Sequence, residues 1–158
     1  ILQLGYPGGP VIQKVAGNFA GGIELPMPLL KEKDFSFSGL KTAVLNLSRK
    51  YADISDEIKK NVAASFQKTV VEILTEKTIA AAITAGTKDI VISGGVAANA
   101  LLRKTFLEKA EKNGLNIIIP QPNFCTDNAA MIGIVGHHFL SRGFTTELSC
   151  SAIPDWSL

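Results

Sequence analysis

Cysteine is scarce in this sequence. Cys125 and Cys150 are the only two among 158 residues, and neither sits in a CxxC pair. Two thiols make no disulfide framework of the kind that staples small secreted domains, and such usage fits a reduced, cytoplasmic protein. Long apolar runs are missing too: no stretch approaches the roughly 20 residues that a bilayer-crossing helix needs. Charge of one sign is not in excess. Sixteen Lys and Arg against 14 Asp and Glu leave a net charge of +2 and a pI near 8.6. That balance permits a nucleic-acid partner without demanding one. There is no GxSxG elbow and no HExxH, so serine-hydrolase and zinc-protease readings lose their support. Internal repeats and low-complexity tracts are also absent.

What remains is material for a packed core. Hydrophobic residues make up 46% of the chain and charged residues 19%, a balance that argues against disorder. The length suits one ordinary domain or one large lobe. Residue 1 is Ile, and ILQLGYPGGP reads like the middle of a loop, which leads us to expect more chain before it.

The periodicity predicts an α/β fold. Residues 1–10 form a Gly/Pro loop, and Pro10 suits the first turn of a helix over VIQKVAGNF, with Gly17 near its end. Alternation at 35–37 predicts a short strand. A helix over GLKTAVLNLSRKY follows, capped by Ser36 or Ser38. The longest helix starts at a Ser55 cap, with Asp56 and Glu57 complementing its dipole. Ile58, Val62, Phe66, Val70, Ile73 and Leu74 give it an apolar stripe, and Gly86 supplies a left-handed stop. Its small, apolar AAAIT segment is suited to close packing on a sheet. Strands at Asp89–Ser93 and Leu115–Ile119 flank a helix from Ala98 to Asn113, and a last helix runs from Asp127 to near Gly143. Helix, strand, helix, strand, helix implies βα units with parallel strands. The tail, 144–158, has no clear periodicity.

In open α/β sheets, ligands bind beyond the carboxyl ends of the strands. Two such ends can be located. At SGGVAAN, residues 93–99, Gly94 and Gly95 let a ligand or a backbone approach closely, and the helix behind them offers N–H groups and a positive dipole end. Asn99 carries an amide that matches ribose hydroxyls or a base edge. The same residues also describe a tight βα turn with a capping Asn. YPGGP, at 6–10, is a second Gly-rich loop opening a helix, alone a turn and together with SGGVAAN the other wall of a nucleotide cleft. At PQPNFCTDN, residues 120–128, Asp127 is either the N-cap of the last helix or a metal ligand or acid/base group, and Asn128 shares either role.

His137 and His138 do not complete a metal site with Asp127. Ten helical residues separate Asp127 from His137, roughly 15 Å, and adjacent helical histidines face different ways. One half-buried and one exposed histidine is the expectation. Cys125 has no partner at metal spacing and reads as a small buried hydrophobe. DFSFSGLKT, at 34–42, mixes aromatics, hydroxyls and Lys41, as either an RNA contact or a strand edge with a helix cap. Lys31, Lys33, Lys41, Arg49, Lys50, Lys59 and Lys60 cluster in sequence, as a solvated face or as a tRNA contact.

GYPGGP, DFSFSGLKT, SGGVAAN followed by LR, and FCTDNAAMI occur in that order. Together they resemble the bacterial TsaD family of tRNA threonylcarbamoyladenosine transferases, once described as O-sialoglycoprotein endopeptidases. The likeness runs from Gly5 to the PDWSL tail. It implies an actin-like, sugar-kinase and Hsp70-type (ASKHA) fold, with this chain as the C-terminal part of two lobes around a nucleotide cleft. It further implies transfer of a threonylcarbamoyl group from threonylcarbamoyl-AMP to N6 of adenosine 37 in tRNAs that read codons beginning with A. By resemblance Gly9 and Asn99 contact the substrate, and Gly94 and Gly95 make room for its nucleotide part. Asp127 is by resemblance a ligand of one divalent metal, iron or zinc. The partners implied are tRNA, a paralogous TsaB-like subunit and a TsaE-like ATPase.

The chain departs from the family pattern in two places. No HxxxH pair occurs in these residues, and the acidic DxxGEAFDK segment before YPGGP is absent. Both are expected upstream of Ile1, with the chain on its own inactive. Two other readings compete. An ASKHA small-molecule kinase or ATPase would share the glycine loop but has no need of a metal-ligating Asp after the second strand. A non-catalytic scaffold partner would not need Gly9, Asn99 and Asp127 intact.

Overall fold

The computed structural model describes residues 1–19, 21–27, 34–51 and 54–151. Lys31, Lys33 and the end of the tail, 152–158, lie outside the described residues. The chain divides into two compact units, Ile1–Cys125 and Thr126–Leu158.

The first unit is built on one long helix. Among the described residues its elements are α1 (Gly8–Ala16), α2 (Ser38–Arg49), α3 (Asp56–Ala85), β1 (Asp89–Val91), α4 (Ala100–Lys112) and β2 (Asn116–Ile118). Tight 3₁₀ turns at Gly95–Ala98 and Pro122–Phe124 follow the two strands. The expected helix–strand alternation is present, and β1 and β2 pair in parallel, with Asp89 opposite Asn116 and Val91 opposite Ile118.

α3 begins where Ser55 Oγ accepts the Ile58 N–H at 3.3 Å. It ends at Gly86, whose φ of 67° closes the helix with bonds to Ala82 and Ile83 carbonyls. Its sides feed four clusters. Val62 meets Leu40 and Val44 of α2. Ala63 and Ala64 meet Ala16 of α1, a contact of small residues that brings the two helices close. Val71 meets Leu102 and Phe106 of α4. Ala82, from the small-residue segment, packs with Ile79, Ile90 of β1 and Ala110 of α4. Gly21 is a further close approach: a Cβ there would lie 2.8 Å from Ser65 Oγ, and its φ is +71°. Ser65 Oγ in turn accepts the Ile23 N–H at 3.1 Å.

Four expectations need correction. Residues 35–37 form no strand; Phe35 and Phe37 instead stack on each other at 6.3 Å, and Lys77 Nζ of α3 lies 5.2 Å from the Phe35 ring centre. Alternation there marks aromatic packing, not pairing. Neither Ser36 nor Ser38 caps α2: Phe37 holds the cap position already in helical geometry, and no side chain bonds the end. Pro10 lies in the first turn of α1 as expected, but the helix spans Gly8–Ala16 and not VIQKVAGNF, which places Gly9 inside that turn. Both strands are shorter than expected: β1 ends at Val91, ahead of the turn at Gly94, and β2 loses one residue at each end.

The second unit holds α5 (Ala129–Leu140). Its cap is Asn128, whose Oδ1 accepts the Met131 N–H at 3.1 Å. Asp127, expected as cap or ligand, does not cap the helix, because Asn128 is the residue that turns extended, with φ −155° and ψ 155°. The chain leaves α5 through a turn to Gly143, and Phe144 sets its ring edge-on to Phe139 at 5.9 Å. His137 and His138 are both exposed, not one of each kind: α5 has no buried face in which one could sit. No helix among the described residues is long and apolar enough to cross a membrane.

Candidate functional site

Gly9 and Asn99, 90 positions apart in sequence, line one cavity of the first unit, about 430 Å³ in volume. Phe66, Val70 and Leu74 of α3 form its floor, with Phe37 and Val96 also at its walls. The lining is apolar apart from the amides of Gln67 and Asn99. An apolar recess with a few placed polar groups is the usual form of a small-molecule site. A larger recess, about 500 Å³, is walled by the first five residues, Gly8, Ile12 and Lys41, among others. It holds none of the nucleotide-binding candidates.

Gly94 stands at the hinge between β1 and the 3₁₀ turn, with φ 88° and ψ 168°. Only glycine adopts that geometry readily. Nothing lies within 4 Å of where a Cβ would be, at Gly94 or at Gly9. Space for a side chain is therefore open at both positions. Gly95 opens the 3₁₀ turn itself.

Asn99 is heavily engaged. Its Oδ1 accepts the Leu102 N–H at 3.0 Å and caps α4. Its Nδ2 donates to Gln67 Oε1 at 2.9 Å. Gln13 of α1 adds a third bond, its Oε1 accepting the Ala100 N–H at 2.9 Å. The Ala100 and Leu102 N–H groups at the start of α4 are thus satisfied by protein. By contrast, no side chain caps α1, which begins at Gly8 and Gly9. Of the two helix ends at the cavity, α1 is the one left open to an anion.

Arg103 joins the two strand-end loops. Its Nη1 donates to the Ala97 carbonyl at 3.0 Å and its Nη2 to the Pro120 carbonyl at 2.8 Å. Nη1 also lies 3.7 Å from Cys125 Sγ. Cys125 is buried as expected, at 4% exposure, and its thiol faces the Pro120 and Gln121 carbonyls. Behind the site, Lys109 of α4 bonds Glu72 at 3.0 Å and also Glu76, both on α3. Burial opposes the Lys109 charge, but the bonds and charges of Glu76 and Glu72 outweigh it and raise its pKa above the ordinary 10.5.

Gln13, Gln67 and Arg103 were not picked out by sequence motif. Gln67 left one trace: it interrupts the apolar row Ala63, Val70, Val71 and Leu74 on α3. Asp127 belongs to the second unit and is exposed. Among the described residues there is no group of three or more His, Cys, Asp or Glu side chains that could hold a metal. One carboxylate does not make the several-donor set a bound cation needs, so the described residues by themselves complete no metal site, and no chemical step here runs through one. Of the basic cluster, Lys41, Arg49, Lys50 and Lys60 are exposed, while Lys59 is half-buried and pairs with Asp56 at 3.4 Å.

A family model described as TsaD, tRNA N6-adenosine threonylcarbamoyltransferase, matches residues 1–134. Curated proteins with the same description are similar along the whole chain. One from Thermosipho africanus is 46% identical over 98% of this chain and 48% of its own length. One from Thermosipho melanesiensis is 48% identical over 100% of this chain and 48% of its own. One from Syntrophotalea carbinolica is 44% identical over 100% and 47%. The chain spans about half the length of the curated relatives it matches.

Proposed function

The chain belongs to the tRNA N6-adenosine threonylcarbamoyltransferase family, and from that premise we propose that it supplies one wall of the cleft for threonylcarbamoyl transfer. The group passes from threonylcarbamoyl-AMP to N6 of adenosine 37 in tRNAs reading ANN codons. The adenosine amine attacks the carbamoyl carbonyl carbon, the bond from that carbon to the phosphate oxygen breaks, AMP departs, and N6 gives up a proton. The observation that carries the reading is the single cavity lined by Gly9 and Asn99, within a member of this family.

Each wall has a physical task in this reading. Phe37, Phe66 and Val96 give the adenylate a dry, apolar seat. Asn99, with one amide hydrogen and one lone pair still uncommitted, orients the nucleoside. Gly9 lets the ligand approach the α1 backbone, whose uncapped end favours the phosphate charge. Gly94 and Gly95 hold the strand-end loop back from the nucleotide. Asp127 offers one oxygen donor toward a divalent metal, iron or zinc, and the other donors must come from outside the described residues. The ASKHA lobe assignment, the cytoplasmic location, the exposed lysines as tRNA contacts, and the TsaB-like and TsaE-like partners belong to the same proposal.

The test is adenylate binding and t6A formation by the full-length protein that carries this chain, with Gly9→Val as the probe. Nothing lies within 4 Å of a Cβ at Gly9, so a side chain there has space and narrows the cavity, and an unchanged thermal unfolding midpoint checks that the variant folds. A loss of at least about tenfold in AMP affinity is expected, the loss of roughly one good contact. Wild-type affinity together with wild-type t6A yield would sink the assignment of this cavity.

A further inference from the structure

We propose that Gln67 is a positioning residue that holds the Asn99 amide steady in the cavity, in the orientation selected by the Leu102 N–H. The proposal rests on the reading of Asn99 as a contact to the adenylate and deepens it.

The assignment follows from donor and acceptor logic. A backbone N–H can only donate. The Leu102 N–H, 3.0 Å from the Asn99 side chain, therefore fixes the near atom as Oδ1. The other end of that amide must then be Nδ2, a donor. It lies 2.9 Å from Gln67, so the Gln67 atom facing it must be Oε1. The two amides thus have one consistent orientation, and the chain of reasoning starts at an atom whose role cannot be reversed. Gln67 is half-buried on α3 and lines the same cavity as Asn99, together with Phe66 and Val71. It approaches from 32 residues upstream, on a helix that also forms the cavity floor.

Position follows from this pairing. The amide is planar, so the Leu102 bond already decides which end is Oδ1, but alone it lets the whole plane rock about the Cβ–Cγ bond. The Gln67 bond closes the second end. With both made, Asn99 shows the cavity one fixed N–H and one fixed lone-pair direction. A ligand then meets a preorganised amide and does not have to freeze one. What Gln67 must provide is an acceptor oxygen at that place and no more. Glutamate provides it; leucine, of similar size, does not.

The experiment uses the full-length protein, with asparagine side chains labelled by ¹⁵N and AMP as the probe ligand. In Gln67→Leu, the Asn99 NH2 resonances should lose their exchange protection and shift, and AMP affinity should fall roughly tenfold, as for a lost neutral hydrogen bond at the strong end. Gln67→Glu should recover most of both. Asn99→Ser keeps a helix-capping hydroxyl but has no amide to orient. Adding Gln67→Leu to it should therefore cost AMP binding nothing further. An Asn99 resonance unmoved by Gln67→Leu overturns the proposal. So does Gln67→Glu as weak as Gln67→Leu, or additive losses in the double variant. If Asn99→Ser binds AMP like wild type, the functional reading of Asn99 fails, while the resonances still decide whether Gln67 holds it steady.

Discussion

Replacing Arg103 by methionine should loosen both strand-end loops at once. The guanidinium makes two charge-assisted bonds to backbone carbonyls, at Ala97 and Pro120. Hydrogen bonds with one charged partner contribute about 1.5–3 kcal/mol each. The side chain is only half-buried, so the lower end applies, and two bonds at that value come to about 3 kcal/mol. Methionine keeps the packing of the stem and loses both donors. For a chain of this size, 1 kcal/mol moves Tm by roughly 2–4 °C, so a drop of about 6–12 °C is expected. Lysine, a point charge with no fork, should recover no more than about half of the stability. The sharper readout is amide exchange. Ala97 and Asn99 donate within one loop, Phe124 and Cys125 within the other. All four should exchange faster together in Arg103→Met. Acceleration in one loop alone, or a stability loss below about 1 kcal/mol, would refute the idea that one side chain ties the two.

Three further outcomes follow from single features. Gly94→Ala should cost about 1–3 kcal/mol from backbone strain alone, because the space around it is open; chemical denaturation measures it, and a neutral effect would remove the requirement for glycine. Asn128→Ala should cost about 1 kcal/mol of α5 stability, and Asp127→Ala should leave the α5 helical chemical shifts unchanged, since only Asn128 bonds the helix end; the reverse pattern would restore Asp127 as the cap. Lys109 titrates above its ordinary pKa of 10.5, so its stabilising effect is fully present below the unfolded value and fades as pH rises through the higher folded one. The stability gap between wild type and Lys109→Met should therefore be constant from pH 7 to about pH 10 and shrink beyond it; a gap that widens at alkaline pH would contradict the sign.

The sequence was most legible where one residue type has one physical job. Ser55 before an acidic turn and Gly86 after an apolar stripe mark the ends of α3 within a residue, because caps depend on local chemistry. The order helix, strand, helix, strand, helix was equally plain, and parallel pairing followed from it. Legibility failed where two neighbours could do the same job. Asp127 and Asn128 are both good caps, and only the backbone angles choose between them. It failed again at Phe35 and Phe37, where alternation predicts a strand but the rings stack on each other, with Lys77 over the Phe35 ring.

The site divides along the same line. Glycines announce room, so Gly9 and Gly94 could be located from the sequence, and both have open space around them. Asn99 was visible with two readings, cap or ligand contact. The structure makes the cap reading true without excluding the other, since an amide has more bonding capacity than one cap uses. What the sequence could not show is the support behind it. Gln13 reaches Ala100 from 87 residues away and Gln67 reaches Asn99 from 32, and no local pattern encodes a distance of that kind. A polar residue inside an apolar helical row is the one sign such support leaves. Gln67 in the α3 row is an instance, and a buried stripe interrupted by a single amide therefore deserves to be read as a question about what that amide holds.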